Sequence, residues 1–289
     1  MTNETLEKRN YYKRFRTVGG YILVLAVITS ALSAASSGLM LLVQMVFDNA
    51  FGELIYYALY YGIMLLSYYL AYRIFYKKYL DRPWENAKMD RHDLPGCLIV
   101  CLLSFVLMRT AWVLWGKVLN QFNYVETAGE EVSIVDIIYI TLGAPIIEEL
   151  VFRHWSMRVL KPYGPYVAIF ISALTFGWFH GTFSQFIPAF IIGLVFGCIT
   201  WHYKSVIPTI ILHIANNTLS TFISIPENPA LETAMLVISA LFILVILVIS
   251  FRRISWKRLA EPFRLIPHSI SYIVFLIVYS LLIALEVLL

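Results

Sequence analysis

Glu148, Glu149 and Arg153, then His180, then His213 and Asn217 stand inside otherwise apolar stretches of this sequence. A charged side chain at the centre of a bilayer costs about 2.5 kcal/mol or more, and it persists only where it is buried, paired or used. Helical spacing sorts the acids. Glu149 and Arg153 are four residues apart, on one face and within reach of an ion pair, whereas Glu148 is rotated by about 100° from Glu149 and is the freer carboxylate. Pro145 cannot donate its backbone bond, which predicts a kink that opens room for water beside the pair. His213 and Asn217, also four apart, share a face. With a rise of about 1.5 Å per residue, Glu148 lies roughly 20 Å and His180 roughly 24 Å from the turn at Lys161 to Gly164. His213 and Asn217 lie roughly 14 to 20 Å from Lys204, so the four groups can meet near mid-membrane. A carboxylate, two imidazoles and an amide would supply a general base, a second proton-transfer group and donors for an oxyanion. The competing reading is structural: a helix-packing ion pair for the charged three, interhelical hydrogen bonds for His180, His213 and Asn217, and packing for Asn216.

The elements that must position these groups are long and apolar. The chain has 289 residues, 60% hydrophobic and only 14% charged. That excludes a soluble globular domain and a disordered one. The three cysteines, Cys97, Cys101 and Cys198, all lie in apolar runs, which excludes a disulfide scaffold. An all-α, polytopic membrane bundle remains. Crossing about 30 Å of hydrocarbon takes roughly 20 helical residues. Single spans are expected at Thr17 to Phe47, Leu54 to Tyr72, Leu94 to about Trp115, Ser133 to Trp155, Ser205 to Ile225, Thr233 to Phe251 and Leu265 to Leu285. Two more fit between Lys161 and Lys204, with a turn near Gly181 to Gln185, for about nine in all.

Of the 22 Lys and Arg residues, all but Arg109 and Lys117 fall on one side if the N-terminus is cytoplasmic. The opposite loops carry Asp48, Glu126, Glu130, Glu131 and Glu227, in keeping with the enrichment of basic residues in cytoplasmic loops. The first span reads as an uncleaved anchor, and the polar loop from Lys77 to Asp93 is too short for a separate domain. The chain divides into 1–132 with the first three spans, 133–225 with the polar groups, and 226–289 with the last two spans.

Other polar residues call for less. His92, His154, His202 and His268 fall at span ends or in loops. Cys97 and Cys101 read as small buried residues, Gly193 and Gly197 as a helix-packing pair, and the tyrosines and tryptophans as mainly lipid-facing or interfacial. Arg109, inside the third span, must be paired or hydrated. Pairing with a carboxylate such as Asp136 is preferred to receiving the C-terminal carboxylate of a peptide substrate.

Glu148-Glu149-Leu150-Val151-Phe152-Arg153 resembles the Glu-Glu-x-x-x-Arg motif of the CPBP (CAAX protease and bacteriocin-processing, or Abi) family. Phe176 to His180 resembles its Phe-x-x-x-His motif, and His213 to Asn217 its His-x-x-x-Asn motif, in the family's order. The resemblance covers about Ser133 to Ile225. It implies an intramembrane endopeptidase of a prokaryotic plasma membrane, its site within the bilayer and open towards the cytoplasmic side, acting on membrane-associated peptides or protein tails and not on nucleic acid. By the same resemblance Glu148 activates water, His180 holds and polarises it, His213 and Asn217 stabilise the oxyanion, and Glu149 and Arg153 support the site. The sequence lacks His-Glu-x-x-His; Glu148, His180 and His213 could still hold a catalytic zinc, although a metal-free mechanism is favoured. The alternatives are a non-proteolytic scaffold or bacteriocin-immunity protein that retains the polar site, and, more distantly, a transporter.

Overall fold

A computed structural model describes residues 3–47, 50–79, 94–122, 133–223, 228–251 and 255–288. Most of the polar loop at 77–93, the acids at 48, 126, 130, 131 and 227, and the basic residues at 82, 88, 91, 252 and 253 lie outside this set. So do His92 and the side chains of Cys97 and Cys101. Among the described residues every regular element is helical.

Two long helices, α1 (Asn3–Gln44) and α2 (Ala50–Tyr79), pack side by side, and α3 (Leu94–Asn120) follows. The stretch expected to be one kinked span is a single helical run with two wide, π-helical turns: α4 (Ile134–Ile138), a π segment (Tyr139–Gly143), α5 (Ala144–Glu148), a second π segment (Glu149–Ser156) and α6 (Met157–Leu160). Among the described residues the most extensive helix pair is α7 (Pro165–Phe179) with α8 (Phe183–Tyr203); α9 (Ile207–Phe222) packs on α3, α8 and the broken run, and α10 (Pro229–Phe251) on α3. The short α11 (Trp256–Leu259) and α12 (Glu261–Leu265) lead into α13 (Ile270–Leu288), which packs on α1.

Large aromatics fill the interior, with Phe15, Tyr21, Phe176, Phe196, Tyr272 and Phe275 completely buried. Aliphatic residues face outward instead, as on α3 (Leu98, Ile99, Leu102) and α10 (Leu236, Leu241, Leu244). In water such a surface would be a large apolar patch; against lipid it is ordinary. By length and composition Arg9–Leu32, Leu98–Asn120 and Phe183–Tyr203 can each cross a membrane. A fourth candidate is the pair Glu261–His268 and Ile270–Ala284, bent by 97°. The segment expected to be one span from Leu265 therefore begins with a right-angled turn, and its straight helix starts at Ile270.

The α7–α8 turn falls where expected. Gly181 takes φ +70°, a left-handed conformation open to glycine at no steric cost, and the Thr182 hydroxyl caps α8 by accepting from the Gln185 N–H at 3.3 Å. Gly193 lets the two helices touch: a Cβ there would lie 3.1 Å from that of Ala173. Gly197 does the same against Ile169, so both glycines serve the packing the sequence suggested.

Candidate active site

The break in the central run has a local cause. Pro145 has no N–H and its ring would collide with the carbonyl one turn back, and the chain answers by widening rather than by kinking sharply. The Ala144 N–H reaches five residues back to the Tyr139 carbonyl, so the Ile140 carbonyl, whose partner in that pattern would be residue 145, is left without an intrahelical donor. The Asn217 side-chain amide supplies one at 2.9 Å. Asn217 thus ties α9 to the broken run, and one of its two amide hydrogens is already committed.

The second π segment begins at Glu149 and sets the two acids apart. Glu149 is completely buried and lies 3.1 Å from Arg153, also completely buried. The guanidinium rests over the Phe176 ring at 4.2 Å, a cation–π contact that helps offset its desolvation. Glu149 Oε1 also lies 3.0 Å from His213 Nδ1; a carboxylate accepts, so Nδ1 donates. Glu148 makes no such commitments. Its side chain is 28% exposed, and its Oε2 lies 3.6 Å from His213 Nε2, too far for a direct hydrogen bond and within the span a water can bridge.

His180 stands at the C-terminal cap of α7. There the helix leaves carbonyls unpaired, and His180 Nδ1 takes that of Phe176 at 2.9 Å. A carbonyl only accepts, so Nδ1 carries the hydrogen and, in the neutral ring, Nε2 keeps its lone pair.

Glu148, His180, His213 and Asn217 line one cavity of about 400 Å³. The four residues singled out by spacing are brought together, on the broken run, α7 and α9. Glu148 and His180 also line a second cavity of about 190 Å³, so they stand between two chambers. Its far wall is aromatic: Tyr60, Tyr61, Tyr68 and Tyr139, with Tyr61 and Tyr139 stacked at 3.6 Å and Tyr68 hydrogen-bonded to Thr29. Many of the tyrosines are therefore not lipid-facing as expected. Tyr21 and Tyr272 are completely buried, and Tyr68 and Tyr72 nearly so. Asn216, read as packing, donates to the Met108 sulfur at 3.0 Å and lines the larger cavity.

Arg109 is not paired as preferred. Asp136 accepts from the Tyr57 hydroxyl and from the Ser133 N–H at 3.1 Å in a capping box at the start of α4. Arg109 enters none of the ion pairs among the described residues, and its Nε is buried without a hydrogen-bond partner. It is absent from the lining of the larger cavity, although its helix neighbours Met108 and Trp112 belong to it. Among the described residues no three His, Cys, Asp or Glu side chains stand close enough together to hold a metal ion.

A family model described as type II CAAX prenyl endopeptidase Rce1-like matches residues 130–219. Over this stretch the chain is similar to the CPBP family. The match to this family of proteases covers the broken run, α7, α8 and most of α9, and with them all three motifs. No curated protein and no solved structure matches the chain.

Proposed function

We propose that this protein is an intramembrane endopeptidase that hydrolyses membrane-associated peptides or protein tails with water activated by Glu148. The observation that carries the proposal is the meeting of Glu148, His180 and His213 at one cavity inside a CPBP-family segment. Glu148 takes a proton from water as the oxygen attacks the scissile carbonyl, and later gives it to the leaving amine. His180, with Nδ1 held by Phe176, orients that water through the Nε2 lone pair. His213 donates to the oxyanion through Nε2, which requires both ring nitrogens to be protonated because Nδ1–H is given to Glu149. In that state Glu148 and Glu149 balance Arg153 and His213. Asn217 has one amide hydrogen left to add to the oxyanion hole, and Glu149 with Arg153 holds His213 in place.

The wider reading is a nine-span protein of a prokaryotic plasma membrane, its N-terminus cytoplasmic and its site opening towards that face. The catalytic core is 133–225, flanked by 1–132 and 226–289. With Asp136 held by Tyr57 and Ser133, Arg109, next to the cavity-lining Met108, is the candidate to meet the carboxylate of a peptide tail. The test is cleavage of a panel of membrane-anchored peptides, farnesylated Cys-a-a-X peptides among them, by reconstituted wild type, Glu148→Gln and His180→Ala, with folding verified and bound metal measured in the same samples. Wild type should cleave while both folded variants fall by about 10²-fold or more. A cellular phenotype retained by both variants would instead identify a scaffold.

A further inference from the structure

A cavity of about 500 Å³ lies away from the candidate active site, where the start of α1 meets α11 and α12. Tyr11, Tyr12, Ser255, Arg258, Glu261, Arg264 and Leu265 line it, so charged and hydroxyl groups share its wall with apolar carbon. Its one lining carboxylate is engaged, since Glu261 Oε1 accepts from the Tyr11 hydroxyl at 2.6 Å. Arg258 and Arg264 are exposed and enter none of the ion pairs among the described residues. Two guanidiniums thus share a concave site with a single, already hydrogen-bonded carboxylate. Guanidinium forks suit phosphate oxygens.

The setting selects the source of that phosphate. The segment Glu261–His268 lies at 97° to α13, so if α13 spans, this segment runs along the membrane surface. Phe263 and Leu259, beside the two arginines, are exposed apolar side chains suited to the acyl boundary. Basic pockets at the cytoplasmic ends of membrane helices are suited to anionic lipid headgroups.

We propose that this cavity binds the phosphate of an anionic phospholipid headgroup, with Arg258 and Arg264 as its ligands. The test uses the full-length protein in nanodiscs containing phosphatidylglycerol or phosphatidylcholine, followed by native mass spectrometry of retained lipid. Wild type should retain phosphatidylglycerol selectively, and Arg258→Gln with Arg264→Gln should lower that retention about tenfold. Lys204→Gln, another cation outside the cavity, should leave it unchanged. A photoactivatable phosphatidylglycerol should label the segment around residues 255–265 in wild type, a readout independent of how the variants fold. Equal retention by wild type and the double variant would overturn the proposal, as would an equal loss in Lys204→Gln. Inorganic phosphate that binds the wild type at Arg258 and Arg264, with no preference between the two lipids, would assign the pocket to a soluble phosphate and overturn the lipid assignment.

Discussion

Glu148 and Glu149 are neighbours in the chain, yet replacing each by Gln should have opposite consequences. Glu149→Gln removes the countercharge from a guanidinium that has no access to water. Breaking a buried pair by deleting one partner costs about 3–5 kcal/mol, because the remaining charge stays desolvated. The same change weakens the acceptor for His213 Nδ1, so activity falls along with stability. Glu148→Gln touches a partly exposed side chain whose ionic partner, His213 Nε2, stands 3.6 Å away without a direct hydrogen bond, and stability should move by no more than about 0.5–1 kcal/mol while cleavage is lost. The assay is denaturant-induced unfolding in micelles followed by tryptophan fluorescence, alongside single-turnover cleavage. A third variant sharpens it: Glu149→Leu with Arg153→Met replaces the pair by apolar groups, which is often neutral or stabilising, and should regain most of the lost stability while remaining impaired in cleavage. If Glu149→Gln is as stable as wild type, or if Glu148→Gln is equally destabilised, the assignment of one acid to structure and the other to chemistry is wrong.

Three further outcomes follow from the packing. Asn217→Leu removes the donor to the Ile140 carbonyl and should cost about 0.5–1.5 kcal/mol, and adding Pro145→Ala, which restores an N–H five residues on, should recover part of that loss in the same unfolding assay. Gly193→Val drives a branched side chain into Ala173 and should destabilise the α7–α8 pair by about 1–3 kcal/mol, with a lower thermal midpoint. Lys204 holds φ +53° at the end of α8, so Lys204→Gly should stabilise by about 1 kcal/mol; a loss of stability would show that the lysine side chain contributes more than its backbone costs.

Much of the candidate site was legible because helical geometry is local. The separation of Glu148 from Glu149, the pairing of Glu149 with Arg153, and the meeting of His180 and His213 at one cavity all follow from residue spacing. The turn at Gly181 was visible in the same way. Pro145 announced a break but not its form: whether a helix kinks or widens depends on who takes the freed carbonyl, and Asn217 comes from a helix more than 70 residues on. That tertiary bond gives Asn217 a structural task as well, which the His-x-x-x-Asn spacing alone does not reveal. The aromatic chamber is not legible in the sequence for a related reason. A tyrosine on an apolar helix looks the same in sequence whether it faces lipid or a neighbouring helix, and Tyr61 and Tyr139 find each other only through packing of α2 on the broken run. Asp136 was available to Arg109 by charge, but Tyr57 and the Ser133 cap hold it instead.

Single-turnover cleavage in H₂¹⁸O, with mass spectrometry of both the product and the enzyme peptide containing Glu148, separates a glutamate that activates water from one that attacks the substrate itself. Direct attack by water predicts one ¹⁸O in the new product carboxylate and none in Glu148. Label appearing in the Glu148 side chain, with an unlabelled product, would contradict it.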